Sequence, residues 1–373
     1  MMNDSDKNKV EIVQCLRGVA VLLVVWFHSI VTIDYQAVSI QSSWGFIDQF
    51  GAVGVDIFFV ISGFVVYLSA SNSSSVSEFF VKRILRIWPL YFVATLAYLL
   101  VMPAEAQNIG RIVASLLFIE PFNTDRAFPT LEPGWSLMFE VAFYSIVACA
   151  MLWRSVRPLP ERILILFGIM IVASAIIDFP RPMNVFGNPI ALEFVFGVLI
   201  AWVWSKYPVL PVWVTSLTFV SSSVIFLSTA LYGNGNVFEG LGIIDASKSW
   251  DRVRVWGVSS ALLLASAVFR EHRRGVGGLW VFLGNSSFSI YLFHMHVVMF
   301  FRWREEILSW LQPDFQILLV SLLSIFLGVF CFYVIERPLM VRARPVSIYL
   351  AGQLDRAGAL MREKFVFLQR GTI

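Results

Sequence analysis

The run Leu16-Arg-Gly-Val-Ala-Val-Leu-Leu-Val-Val-Trp-Phe-His-Ser-Ile-Val-Thr-Ile33 decides the fold. An apolar stretch of roughly 17–25 residues crosses a bilayer as a helix, because lipid offers its backbone N–H and C=O groups no partner. No small-residue cleavage pattern follows the apolar part, Val19 to Ile33, so it reads as a signal anchor and first spanning helix, not as a cleaved leader. Arg17 and His28 lie eleven residues apart. That is three helical turns plus about 20°, with a rise of roughly 16 Å. The two side chains share one face, Arg17 near the cytoplasm and His28 deep in the span.

The same pattern repeats outward from this helix. Further spans read at 51–70, 84–102, 134–153, 162–178, 189–204, 211–231, 254–269, 280–300 and 315–335, with the first at 16–33. The expected fold class is therefore all-α: a polytopic integral membrane protein of about ten transmembrane helices. Residues 1–15 form a cytoplasmic tail, 16–336 the membrane domain and 337–373 a basic cytoplasmic tail. The stretch 111–119 is too short to span and reads as interfacial or re-entrant; counted as a span it would give eleven. With the N-terminus inside and ten spans, 20 of the 28 Lys and Arg fall on the cytoplasmic side, and the first outer loop, Asp34 to Phe50, has none. Eleven spans would place the basic tail outside, so ten is preferred. The tail spaces Ile348, Leu350, Leu354 and Leu360 among basic residues. That spacing fits an amphipathic helix on the inner leaflet and a partly ordered tail about equally.

Composition agrees. Of the 373 residues, 58% are hydrophobic and 14% charged, against about 25% charged in soluble domains. The mean hydropathy is +0.76. A net charge of +3 without a basic patch gives no reason to expect a nucleic-acid partner. Cys15, Cys149 and Cys331 are too scattered for a disulfide framework or a zinc site, and no metal is expected.

Ionisable groups inside a bilayer are costly, so each one is a functional candidate. His28, Asp56, Glu140, Glu193, His294 and His296 all fall within spans, in the outer half of the membrane under the alternating topology. Acids and bases gathered at one depth suit proton transfer. Interhelical hydrogen bonds that hold the bundle are the competing explanation, and the better one for Glu193 and His296. Arg83 and Arg86, at i and i+3, share a face at the cytoplasmic mouth of the third helix. With Arg17 they suit a phosphate-rich ligand, because guanidinium forks match phosphate oxygens. Taken alone, positive-inside anchoring is the better explanation of these arginines.

Six segments, in order, resemble the acyltransferase-3 family. Leu16 to His28 is similar to its arginine, ten residues, histidine signature. Gly54-Val-Asp-Ile-Phe-Phe-Val-Ile-Ser-Gly-Phe64 follows, then Arg83-Ile-Leu-Arg-Ile-Trp-Pro-Leu-Tyr91, which resembles an Arg-x-x-Arg segment. Trp135-Ser-Leu-Met-Phe-Glu-Val-Ala-Phe-Tyr144, Leu283-Gly-Asn-Ser-Ser-Phe-Ser-Ile-Tyr-Leu-Phe-His294 and Glu336-Arg-Pro338 complete the set. Lys82-Arg83 stands where two arginines are common, and the chain has only a short tail where some members carry a fused SGNH hydrolase-like domain.

The resemblance implies a bacterial inner-membrane O-acyltransferase that moves an acyl group, usually acetyl from acetyl-CoA, onto hydroxyls of surface or exported polysaccharides. Acetyl-CoA is then a substrate, and no tightly bound cofactor is expected. The partners implied are the acyl-CoA donor, a carbohydrate acceptor (free or lipid-linked), membrane lipids and a polysaccharide assembly machinery. By analogy His28 is catalytic and Arg17, Arg83 and Arg86 engage the donor. Neutral His28 would take the proton of the attacking hydroxyl, with Asp56 or Glu140 orienting the imidazole. His294, Ser136 and Tyr291, which lie in the motif stretches, are secondary candidates. A covalent acyl-enzyme is the alternative mechanism, although no G-x-S-x-G elbow is present. A proton-coupled transporter or flippase of a lipid-linked glycan, or a non-catalytic partner in polysaccharide assembly, would also use intramembrane His, Asp and Glu. Only the enzyme would consume a thioester.

Overall fold

The structure, a computed structural model, describes residues 4–36, 50–102, 109–119, 128–177, 184–232, 246–270 and 277–370. Most of the basic-free outer loop, 37–49, lies outside them. The described chain is helical, with no strand among the described residues. Its helices are α1 (Asp4–Gln36), α2 (Val53–Ser71), α3 (Val76–Tyr98), α4 (Ile109–Leu116), α5 (Gly134–Leu152), α6 (Leu159–Ile176) and a single turn, α7 (Asn184–Gly187). They continue with α8 (Leu192–Lys206), α9 (Val212–Tyr232), α10 (Ser249–Arg252), α11 (Val258–Val268), α12 (Gly278–Arg302), α13 (Pro313–Cys331) and α14 (Arg337–Arg370). π-helical turns at Val253–Gly257 and Phe332–Glu336 join α10 to α11 and α13 to α14.

A helix covers most of each stretch read as a span. Among the described residues, seven helical stretches are long and apolar enough to cross a membrane by length and composition. The exceptions have visible causes. The first half of α3 carries Glu78, Lys82, Arg83 and Arg86, α11 is short, and α12 carries buried Ser286, Ser287, Ser289, His294 and His296. The short stretch at 111–119 forms α4, eight residues that cannot span. Its Ser115 Oγ accepts from the Thr130 amide (2.7 Å), and Trp88 Nε1 of α3 donates to its Leu116 carbonyl (2.9 Å).

The molecule sets polar and ionisable side chains within an apolar core and is apolar at its rim as well, unlike a soluble protein. The apolar windows of α6 and α9 are only 17% buried in protein, against 78% for α2. Ile169, Val172 and Ile176 of α6 and Leu217, Val224 and Leu231 of α9 are exposed, as are Leu322 and Phe326 of α13. In water such a belt would be a large aggregation surface; in a bilayer it faces lipid.

With no hydrophobic drive between helices in lipid, small residues set the close crossings. A Cβ added at Gly284 of α12 would lie 1.9 Å from the Gln14 carbonyl of α1. One at Gly63 of α2 would lie 1.9 Å from the Phe194 carbonyl of α8. These crossings seat α1 against α12 and α2 against α8. The tail continues as the helix α14, which packs on α3; Ser75 Oγ at the start of α3 donates to Asp355 Oδ2 (2.8 Å).

Candidate active site

α1 and α12 bring together two histidines 266 residues apart in sequence. His28 Nδ1 lies 2.9 Å from the Val24 carbonyl and 3.3 Å from His294 Nε2, with ring centroids 4.9 Å apart. A carbonyl only accepts, so Nδ1 carries the proton that bonds Val24. The basic lone pair of His28 is then on Nε2. His294 is fully buried, while His28 borders a cavity.

Two cavities meet at this level. The outer one, about 260 Å³, is lined by His28, Glu132, Trp135, Arg252, Tyr291 and Arg302 among others. The inner one, about 100 Å³, is lined by Arg17, Arg83, Arg86, Ser136, Glu140, Ser287 and Tyr291 among others. Val55 and Tyr291 border both. Ser136 Oγ and Tyr291 Oη share a hydrogen bond at 2.7 Å, and each hydroxyl lies within donating distance of the Pro133 carbonyl, at 3.0 and 3.3 Å. This link holds the Tyr291 side chain between the chambers.

All three arginines singled out in the sequence line the inner cavity, each held differently. Arg17 Nε donates to Ser287 Oγ (3.2 Å). Arg86 Nη1 pairs with Glu336 Oε1 (2.6 Å), whose other oxygen accepts from Ser289 Oγ (2.6 Å). Arg83 Nε is buried with no hydrogen-bond partner. A buried charged donor left unpaired is costly, so Arg83 has capacity for an anionic ligand, as does Arg17, which has no ion pair among the described residues.

The expectation that Asp56 or Glu140 orients His28 does not match the geometry. Both oxygens of Asp56 are taken by Arg252, through Nε and Nη2 at 2.8 Å each. Arg252 also donates to the Ala52 carbonyl (3.1 Å) and stands over the Trp256 ring. Glu140 accepts from Ser62 Oγ (2.8 Å) and the Tyr144 hydroxyl, and it lines the inner cavity, not the His28 chamber. The acid in that chamber is Glu132, in the turn before α5. Sequence reading passed over Glu132 because it lies outside any span. It passed over Arg252 because that residue counted as part of an outer loop.

His296 Nε2 bonds the Ala94 carbonyl of α3 (3.0 Å), an interhelical tie. Glu193 is fully buried, close enough to Asp56 and Arg252 to interact with both. Among the described residues no cluster of His, Cys, Asp or Glu is placed to hold a metal ion.

A helical bundle with a lipid-facing rim and internal cavities bordered by basic and acidic groups defines a polytopic membrane protein. The chain belongs to the acyltransferase-3 family: the profile described as Acyltransferase domain matches residues 10–337. It is similar to the Exopolysaccharide production protein ExoZ of Rhizobium meliloti (strain 1021), 30% identical over 81% of this chain and 94% of that protein. It is also similar to Acyltransferase MdmB of Streptomyces mycarofaciens, 26% identical over 85% of this chain and 88% of that protein. A third relative, Nodulation protein 10 of Rhizobium leguminosarum bv. viciae, is 33% identical over 31% of this chain and 37% of its own length. No solved structure matches the chain significantly. The protein is thus a membrane acyltransferase by family.

Proposed function

We propose that the protein transfers an acetyl group from cytoplasmic acetyl-CoA to a hydroxyl of a surface or exported polysaccharide, in a bacterial inner membrane, with both termini cytoplasmic. The observation that carries this reading is the pair of chambers meeting at Tyr291, with three arginines around one and the His28–His294 pair beside the other. The relative whose name specifies exopolysaccharide production supports the acceptor class.

In this mechanism the donor lies in the inner chamber with its phosphates toward the arginines, and the acceptor sugar enters the outer one. His28 Nε2 takes the proton of the acceptor hydroxyl as its oxygen attacks the thioester carbonyl. The new C–O bond forms, the C–S bond breaks, and the departing thiolate takes a proton back from the imidazolium. Val24 and the Nε2 lone pair of His294 accept from the Nδ1–H of that imidazolium, and Glu132 offsets its charge from across the chamber. Tyr291 separates thioester from acceptor until both are in place.

The test is thioester consumption by the purified protein in lipid nanodiscs. Acetyl-CoA should be consumed only when a polysaccharide acceptor is present; a transporter or flippase would consume none. Arg83→Gln should raise the apparent KM for acetyl-CoA without changing that for the acceptor. A lost charge-assisted contact is worth about 1.5–3 kcal/mol, roughly tenfold to a hundredfold. An unchanged donor KM in stably inserted protein would reduce Arg83 to a topological anchor.

Orientation is tested with cysteines. Ser309, exposed after α12, should react as Cys with an impermeant thiol reagent in intact cells once native cysteines are replaced. Gly352 on α14, where an added side chain meets nothing within 4 Å, should not react as Cys. Labelling at Gly352 alone would reverse the proposed topology.

A further inference from the structure

A third opening lies on the far side of Arg86, and nothing in the scheme above uses it. It is a groove of about 380 Å³ between the first turns of α12 and the π-helical turn Phe332–Glu336, lined by Arg86, Phe282, Asn285, Tyr333 and Arg337 among others. We propose that this groove binds the nucleotide end of the acyl-CoA donor, with the donor's arm passing Arg86 into the inner cavity. This inference rests on the acyltransferase reading.

Size points there first. At about 100 Å³ the inner cavity is well below the roughly 300–1,000 Å³ of ordinary ligand sites, whereas the groove falls within that range. The inner cavity takes a linear arm, so the bulky end of a donor has to lie outside it.

Continuity is the second point. One face of α12 lines all three openings in order: Phe282 and Asn285 the groove, Phe288 and Tyr291 the inner cavity, Tyr291 and Met295 the outer one. Residues three and four apart lie on one stripe of a helix. From Asn285 to His294 the axial rise is roughly 14 Å, so a donor lying along the stripe needs an arm of about that reach. Arg86 borders both the groove and the inner cavity, fixed there by Glu336 at 2.6 Å.

Chemistry is the third. The groove offers two guanidinium groups, Arg86 and Arg337, for phosphates. Arg337 is exposed and has no ion pair among the described residues. Phe282 and Tyr333 stand ring to ring, centroids 6.3 Å apart and planes 28° from parallel, and Tyr333 is about half exposed. A nucleobase stacks on such rings, and Asn285, exposed beside them, has both a donor and an acceptor for a base edge. The Glu336-Arg-Pro338 stretch, which has no part in the chemistry at His28, thereby supplies a clamp for Arg86 and a second phosphate contact.

Adenosine 3′,5′-bisphosphate, the nucleotide without the arm, is the direct probe, with the full chain in nanodiscs of uncharged phosphatidylcholine. Arg337→Gln, Tyr333→Ala and Asn285→Ala should each weaken its binding, Arg337→Gln by about tenfold. The same variants should lower the preference for acetyl-CoA over S-acetylpantetheine, which lacks the nucleotide, by a similar factor. A general structural defect would depress use of both donors and leave that ratio unmoved. Unchanged bisphosphate affinity and an unchanged ratio in all three variants, in protein that consumes acetyl-CoA, would overturn the groove alone. So would anionic lipid displacing the bisphosphate from wild type and variants alike, which would make Arg86 and Arg337 a lipid-phosphate contact. Bisphosphate binding that depends on the groove in a protein that consumes no thioester would instead remove the acyltransfer reading and leave the nucleotide site standing.

Discussion

His28→Ala is expected to lower acyl transfer by about 10²–10⁴-fold, the usual cost of losing a general base, with the protein still inserted and folded. The fold should survive because the imidazole borders a cavity and its main tie is to Val24, one turn back on its own helix. His294→Ala is the companion. His294 contacts His28 through Nε2 and does not line the outer chamber, so its loss should cost less and should alter the pH profile of kcat by changing how the His28 imidazolium is supported. Rates are measured as acceptor-dependent release of free thiol, alongside monodispersity in detergent. Near-normal turnover in folded His28→Ala protein would remove the proposed base and direct attention to His294.

The second large effect is on stability. Asp56→Asn should destabilise the protein, by up to about 3–5 kcal/mol, because it removes the carboxylate that pairs with buried Arg252 and leaves Glu193 as the nearest acid. Asp56 and Arg252 are 0% and 1% exposed, and they join α2 to the entry of α11 across 196 residues of sequence. The thermal midpoint of the purified protein should fall several degrees. Replacing both partners together, Asp56→Leu with Arg252→Met, should recover much of the loss, as buried pairs often tolerate apolar exchange. If Asp56→Asn kept its midpoint but lost turnover, Asp56 would be acting on His28 after all, and the ion pair would be incidental.

The fold was legible in the sequence because lipid imposes one rule on every span: long apolar runs become helices. A helix occupies most of each of the ten runs, and α4 is too short to cross. The relation between Arg17 and His28 was legible for a similar reason, since both lie on one helix and 3.6 residues per turn fixes their phase. What stayed hidden was every pairing between helices. Nothing local in α1 says that His294 will meet His28, and nothing in α2 says that Asp56 will be spent on Arg252. Equal depth along separate helices does not fix which faces look at one another. One signal was available and went unused. Arg252 is among the eight basic residues that the ten-span topology leaves on the outer side. A cation that defies the positive-inside pattern is a candidate for an internal ion pair with a lone acid elsewhere in the bundle.

The glycine crossings bear on how the molecule opens. With backbone against backbone at Gly284 and Gln14, and again at Gly63 and Phe194, α1 cannot slide past α12, nor α2 past α8, without carbonyl and glycine colliding. On the α3 side the ties run through side chains, Arg86 to Glu336, Ser75 to Asp355 and the His296 ring to the Ala94 carbonyl. His28 and His294 thus ride on the two helices that meet backbone to backbone at Gly284.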